Sequence, residues 1–242
     1  PTIIYHAANV LFKTADGGDS WEIISPDLTK NDIKKHDLGS VPFTNEAAGG
    51  EVYNTIMYAV ESIHEKGEIW AGSDDGLIHL TQDGGKSWNN VTPKGMNEGI
   101  VNSIEISPHD KGTVYVAFTR YKFGDLSPSI YKTTNYGKSW TKRVKGIEDD
   151  AFVRVVREDP VKRNLLYAGT ETGLYLSLDG GKLWEKFQLN LPIVPITDLT
   201  IRNNDLVAST QGRSFWILDD LTQIHQYDRK ITSEDFHLFK PG

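Results

Sequence analysis

Apolar positions along this chain alternate in short runs and do not recur at the three- and four-residue spacing of an amphipathic helix. The clearest runs come in pairs: Ile69-Trp-Ala-Gly-Ser73 then Leu77-Ile-His-Leu80, Val114-Tyr-Val-Ala-Phe-Thr119 then Ile130-Tyr-Lys-Thr133, and Leu166-Tyr-Ala-Gly-Thr170 then Leu174-Tyr-Leu-Ser177. Short, evenly spaced strands bounded by Gly, Asp and Asn predict an all-β chain.

After each pair comes the same turn. Thr81-Gln-Asp-Gly-Gly-Lys-Ser-Trp88, Thr133-Thr-Asn-Tyr-Gly-Lys-Ser-Trp140 and Ser177-Leu-Asp-Gly-Gly-Lys-Leu-Trp184 repeat the frame of Thr14-Ala-Asp-Gly-Gly-Asp-Ser-Trp21. The four tryptophans are 67, 52 and 44 residues apart. Strand-rich repeats with periods in the 40s are what propeller blades of four strands produce, and the longer steps mark insertions. Within the frame, the Asp accepts backbone N–H groups two or three residues on, the Gly takes a positive φ, and the Trp buries its ring as the next strand starts. Asp16, Asp83, Asn135 and Asp179, with Trp21, Trp88, Trp140 and Trp184, are therefore expected to tie off hairpins and not to catalyse. Asn135 keeps the acceptor and drops the charge.

With strands named A (innermost) to D (outermost), the turn joins C to D. One propeller segment over 1–242 then divides into units at about 1–26, 55–93, 101–146, 152–191 and 196–242, with a long connection at 27–54. Three units are complete; the first shows only its later strands, and the last replays B and C in Ala208-Ser-Thr-Gln-Gly-Arg-Ser-Phe-Trp216 without a following turn. The incomplete units either share one blade, closing a small propeller without free edges, or belong to a larger propeller. The second is expected, because Pro1 already stands in strand-like sequence, as in a fragment or processed product.

Composition narrows the partners. Lys plus Arg total 26 and Asp plus Glu 33, a net charge of −7, which disfavours nucleic acid and anionic membrane surfaces. Cysteine is absent, so disulfides and thiolate chemistry are too. No run approaches the ~20 apolar residues of a membrane span. The seven histidines show no metal-ligand spacing and the Asp-Gly-Gly triplets sit in hairpins, not ahead of a helix, so no metal and no cofactor is expected beyond a structural calcium that Asp-rich loops could hold.

Together with the four turns, Trp70-Ala-Gly-Ser-Asp-Asp-Gly76, Phe152-Val-Arg-Val-Val-Arg-Glu-Asp-Pro160, Tyr167-Ala-Gly-Thr-Glu-Thr-Gly173 and Gly212-Arg-Ser-Phe-Trp-Ile-Leu-Asp-Asp220 resemble the Asp-box, or bacterial neuraminidase repeat (BNR), β-propellers. Among them the chain looks most like the bacterial sortilin-type proteins described as "glycosyl hydrolase, BNR repeat". The resemblance covers nearly the whole chain and implies an exported protein, extracellular or periplasmic. Its families include sialidases, xyloglucan-active glycosidases, peptide-binding sortilin-like receptors and photosystem assembly factors. In them the Asp-box lies on the face opposite the ligand, so function has to be argued from the other face.

That opposite face collects the B–C loops, with Asp74, Asp75, Arg120, the stretch Tyr121–Ser129, Glu171 and Arg213, and the long connection with Lys30, Asp32, Lys34, Lys35, His36, Asp37, Glu46 and Glu51. Aligning the innermost strands on Ser107-Pro108 and Asp159-Pro160 puts Met57, Asn102 and Arg154 at one height, with Asp198 at a similar place. The expected ligand contacts are Asn102, Arg120, Arg154, Asp198 and Arg213, for a glycan or a peptide. A glycoside hydrolase is the alternative; it needs two carboxylates ~5–5.5 Å or ~6.5–9.5 Å apart, and Asp74, Glu171 and Asp198 are the candidates. A sialidase would add three arginines clamping a carboxylate. Arg120, Arg154 and Arg213 come from different units, but the N-terminal Arg-Ile-Pro-type motif is missing.

Overall fold

A computed structural model describes residues 3–35 and 53–241. His36, Asp37, Glu46 and Glu51 of the long connection lie outside the described residues. Five antiparallel sheets follow one another, each a simple meander. The first holds β1 (Ile4–Ala7), β2 (Leu11–Thr14) and β3 (Glu22–Ile23); the second β4 (Ile56–Glu61), β5 (Ile69–Ser73), β6 (Ile78–Thr81) and β7 (Asn89–Asn90). The third holds β8 (Ile100–Ile106), β9 (Val114–Thr119), β10 (Ile130–Thr133) and β11 (Thr141–Lys142). The fourth holds β12 (Val153–Glu158), β13 (Leu166–Thr170), β14 (Gly173–Ser177) and β15 (Glu185–Lys186), and the last β16 (Ile196–Arg202), β17 (Asp205–Thr210) and β18 (Phe215–Leu218). A short helix, α1 (Thr222–Gln226), follows.

There is no single core. Apolar residues cluster between consecutive sheets: Leu11, Ile56 and Ala71 between the first and second, Trp70, Val101 and Val116 between the next two, Tyr115, Val153 and Trp184 after them, and Tyr167, Ile196 and Leu199 last. The second strands of the three four-stranded sheets, β5, β9 and β13, are buried throughout. The Ala-Gly pairs of β5 and β13 let the next sheet come close: a Cβ on Gly72 would lie 2.3 Å from Val101, and one on Gly169 2.7 Å from Ile196.

β4, β8, β12 and β16 carry the same register shift near the start of the strand, at Ile56/Tyr58, Val101/Ser103, Val153/Val155 and Ile196/Asp198. They pack on one another in sequence and are the innermost strands. The first sheet has the turn between β2 and β3, so β1 to β3 occupy the B, C and D places; β16 to β18 occupy A, B and C. Six strands with B and C duplicated cannot merge into one four-stranded blade, so the shared-blade closure does not arise.

The four turns share one hydrogen-bond pattern. Asp16, Asp83, Asn135 and Asp179 each accept through Oδ1 from the backbone N–H four residues on, at 2.9–3.0 Å, one or two residues further than expected. The leading hydroxyl donates to the same oxygen and accepts from the glycine N–H four residues on. Asn135 repeats the arrangement with an amide, its Nδ2 donating to Ser139 Oγ. Hydrogen bonds from Ser87 and Thr81 hold the Asp83 carboxyl down at about 2, and Ser20 and Thr14 hold Asp16 lower still. The carboxylates of Asp16 and Asp83 are therefore committed to the turn.

Candidate functional site

Antiparallel pairing puts all four turns at one end of the sheets and the B–C loops, with the starts of the innermost strands, at the other. The most developed loop at that end joins β9 to β10. It folds on itself because Arg120 Nη1 reaches Asp125 at 2.7 Å, Arg120 Nε donates to the Glu98 carbonyl at 2.9 Å, and Asp125 accepts from Ser127 N–H. This fixes Tyr121, whose ring stacks on Phe152 with centroids 5.2 Å apart and planes 13° from parallel.

Phe152 is 5% exposed and Tyr121 38%. A buried ring thus backs an accessible one. Arg154, near the start of β12, sends its Nε and Nη2 to one oxygen of Glu171, both at 2.7 Å, while its guanidinium lies 5.1 Å from the Phe152 ring and 6.0 Å from that of Tyr121. The outcome is an aromatic platform with an ion pair along its edge.

Beside it a narrow cleft is lined by Tyr53, Asp74, Gly99, Ile100, Thr119, Arg120, Lys122 and Phe123. Burial pushes the Asp74 carboxyl up to about 6, against the Thr55 N–H that donates to it at 2.9 Å. Asp75 is different. Fully buried, it accepts from the Lys30 N–H at 2.6 Å and from Ser73 Oγ, tying the long connection down, as does the contact of Lys35 and Tyr53 with Glu98.

Along the innermost strands one residue from each of four consecutive sheets meets: Tyr58, Glu105, Arg157 and Asp198. Arg157 Nη2 is 2.7 Å from Asp198, its Nη1 3.6 Å from Glu105, its Nε donates to the Leu199 carbonyl at 2.9 Å, and its guanidinium is 6.0 Å from the Tyr58 ring. Burial pushes Glu105 up to about 7 in spite of Arg157. A carboxyl raised in this way is more protonated folded than unfolded between its ordinary value near 4.5 and 7. Its contribution to stability is complete below about 4.5 and is lost as pH rises through 7. Denaturant unfolding at pH 4.5 and 7.5 should show a fall in wild-type stability exceeding that of Glu105→Gln by on the order of 2 kcal/mol.

The expected site residues fall into separate places. Arg154 and Glu171 are joined at the platform, and Arg120 and Asp74 share the adjoining cleft. Asn102 donates Nδ2–H to the Val153 carbonyl at 3.2 Å, linking two innermost strands. The register shift gives Arg154's rung to Thr197, so Asp198 stands one residue further along and its carboxylate goes to Arg157. Arg213 is exposed on the last B–C loop, where its carbonyl accepts from Trp216 Nε1 at 2.9 Å.

Sequence reasoning set Tyr121 on this face only as the start of a loop and did not single out Phe152, Glu105 or Arg157 as site residues. Glu105 and Arg157 stand two residues before Ser107 and Asp159, the anchors of the strand alignment, so that rung was open to reading. Among the described residues no three His, Asp or Glu converge as a metal-ligand set, and no helix is long and apolar enough to cross a membrane.

No protein-family model and no curated protein sequence matches the chain. Solved structures do. The GH74 xyloglucanase from Xanthomonas campestris superposes with a TM-score of 0.63 at 17% identity over 90% of this chain and 34% of that one. The extracellular domain of a hybrid two-component system from B. thetaiotaomicron gives 0.60 at 14% identity, over 92% and 26%. YCF48 bound to D1 peptide gives 0.50 at 16%, over 67% and 55%. These likenesses show the fold: an all-β, partial β-propeller of blade-like three- and four-stranded sheets. The chain spans between a quarter and about half the length of these structures.

Proposed function

We propose that the chain is the ligand-recognition module of a larger, exported bacterial protein of the Asp-box propeller type, and that its ligand is a glycan taken on the Tyr121–Phe152 platform. The observation that carries this reading is an exposed ring held flat by a buried one, with the Arg154–Glu171 pair beside it. A sugar ring offers an apolar face to stack on such a surface and hydroxyls around its edge that a carboxylate and a guanidinium can bind. Arg120 and the cleft around Asp74 extend the surface toward the second sheet. An extracellular domain and a xyloglucanase share the fold, and YCF48 was solved with a peptide, which makes a peptide the other ligand class to screen.

The test is binding of the chain and of Tyr121→Ala to a glycan array and a peptide library. A glycan whose affinity falls at least ~10-fold in Tyr121→Ala, a change of about 1.4 kcal/mol, is expected. Absence of any glycan ligand, or ligands indifferent to Tyr121, would refute the assignment.

A second reading, glycoside hydrolysis, draws on one feature. Asp74, with its carboxyl raised by burial to about 6 next to Arg120 and Lys122, holds a proton to higher pH than an ordinary carboxyl, the direction in which a general acid is tuned. Glu171 and Asp198 are instead held by Arg154 and Arg157. If the larger protein cleaves glycans, Asp74→Asn should abolish turnover and leave binding at Tyr121 in place.

A further inference from the structure

One contact recurs between consecutive sheets at the turn end. Trp88, Trp140 and Trp184 donate Nε1–H to the carbonyls of Ile24, Val91 and Arg143, at 2.9, 2.7 and 2.9 Å. Each acceptor stands three residues past the tryptophan of the preceding turn, just after the outermost strand of its sheet. The same three residues meet the glycine at the fifth position of the following turn. A Cβ would lie 2.3 Å from Ile24 O on Gly85, 2.6 Å from Val91 Cβ on Gly137, and 3.3 Å from Arg143 Cβ on Gly181.

Among the described residues, the first turn has both residues and neither neighbour. A Cβ on Gly18 meets nothing within 4 Å except Trp21 itself. Trp21 is 45% exposed and makes its ring contact within its own sheet, to His6 at 5.9 Å. Ile23, 61% exposed, and Ile4, 41% exposed, widen the same apolar surface, with Phe12 against His6.

We infer that this face docks a further four-stranded blade of the same kind, supplied by the same polypeptide from outside these 242 residues, whose carbonyl three residues past its own turn tryptophan accepts from Trp21 Nε1. The interface is the one already repeated three times, moved one sheet back, to the face before the first sheet. A second copy of the chain does not offer the acceptor. Ile24, Val91 and Arg143 already hold their tryptophans, and Phe187, the equivalent residue of the fourth sheet, packs beneath the last one. The last sheet stops at its third strand and has no outermost strand to carry the carbonyl.

The inference rests on the larger protein proposed above and not on the ligand platform, so loss of glycan binding and loss of this contact are separate failures. Hydroxyl-radical footprinting of tryptophans, on the 242-residue chain and on the native protein that contains it, tests the docking. In the chain alone Trp21 should oxidise several-fold faster than Trp184; in the native protein its rate should fall to that of Trp140. Trp21→Ala should leave the melting temperature of the chain unchanged and lower that of the native protein by as much as Trp140→Ala does. Equal reactivity of Trp21 in both forms would overturn the inference. So would protection of Trp21 in the chain alone at doubled mass, which would make the occupant a second copy.

Discussion

Trp184→Ala is expected to destabilise the chain by about 3–5 kcal/mol, while Trp21→Ala, the same substitution in the same frame, costs less than about 1 kcal/mol. Trp184 is 1% exposed, sits in the cluster of Tyr115, Val153 and Ala168, and gives its N–H to Arg143. Removing it opens a cavity between two sheets and leaves a carbonyl without its donor, two losses that add. Among the described residues, Trp21 has neither the cluster nor the acceptor. Denaturant midpoints of the two variants check the difference, and equal costs would show that the ring acts within its own hairpin and not between sheets.

A second large effect is expected at the fifth position of the turn. Gly85→Ala should cost about 3 kcal/mol or more, and Gly18→Ala only about 1–2 kcal/mol. Both glycines have positive φ, +98° and +108°, so both substitutions carry the strain of a left-handed backbone. Only at Gly85 does the new methyl meet Ile24 O, at 2.3 Å, a backbone atom that cannot turn aside. Relief requires the second sheet to move away from the first, which would also break the Trp88 hydrogen bond to the same carbonyl. Comparison of the melting temperatures of the two alanine variants measures the inter-sheet part directly.

The turns were legible in the sequence because their chemistry is local: a hydroxyl, an acceptor and a glycine within five residues close the hairpin by themselves. The strands followed, since each lies within a few residues of a turn. What their spacing could not give was the join between sheets, because Trp88 and Ile24 are 64 residues apart and nothing near either announces the other. The candidate site was hidden for the same reason. Arg154 and Glu171 were readable on a strand and a loop of one sheet, but Tyr121 and Phe152 meet across two sheets, and that meeting depends on Arg120 and Asp125 folding their own loop. Past the register shift that the innermost strands share, β16 runs one residue longer than β12, which sets Asp198 off the row, with no residue type marking it.

The separation of architecture from recognition is tested most directly by calorimetric titration of the bound glycan against three proteins: wild type, Tyr121→Ala and Asp83→Asn. Asparagine already performs the aspartate's task at position 135, so Asp83→Asn should keep its turn and bind within about twofold of wild type, while Tyr121→Ala should weaken binding at least ~10-fold. Wild-type affinity in Tyr121→Ala together with lost affinity in Asp83→Asn would place recognition on the turn face and contradict the account.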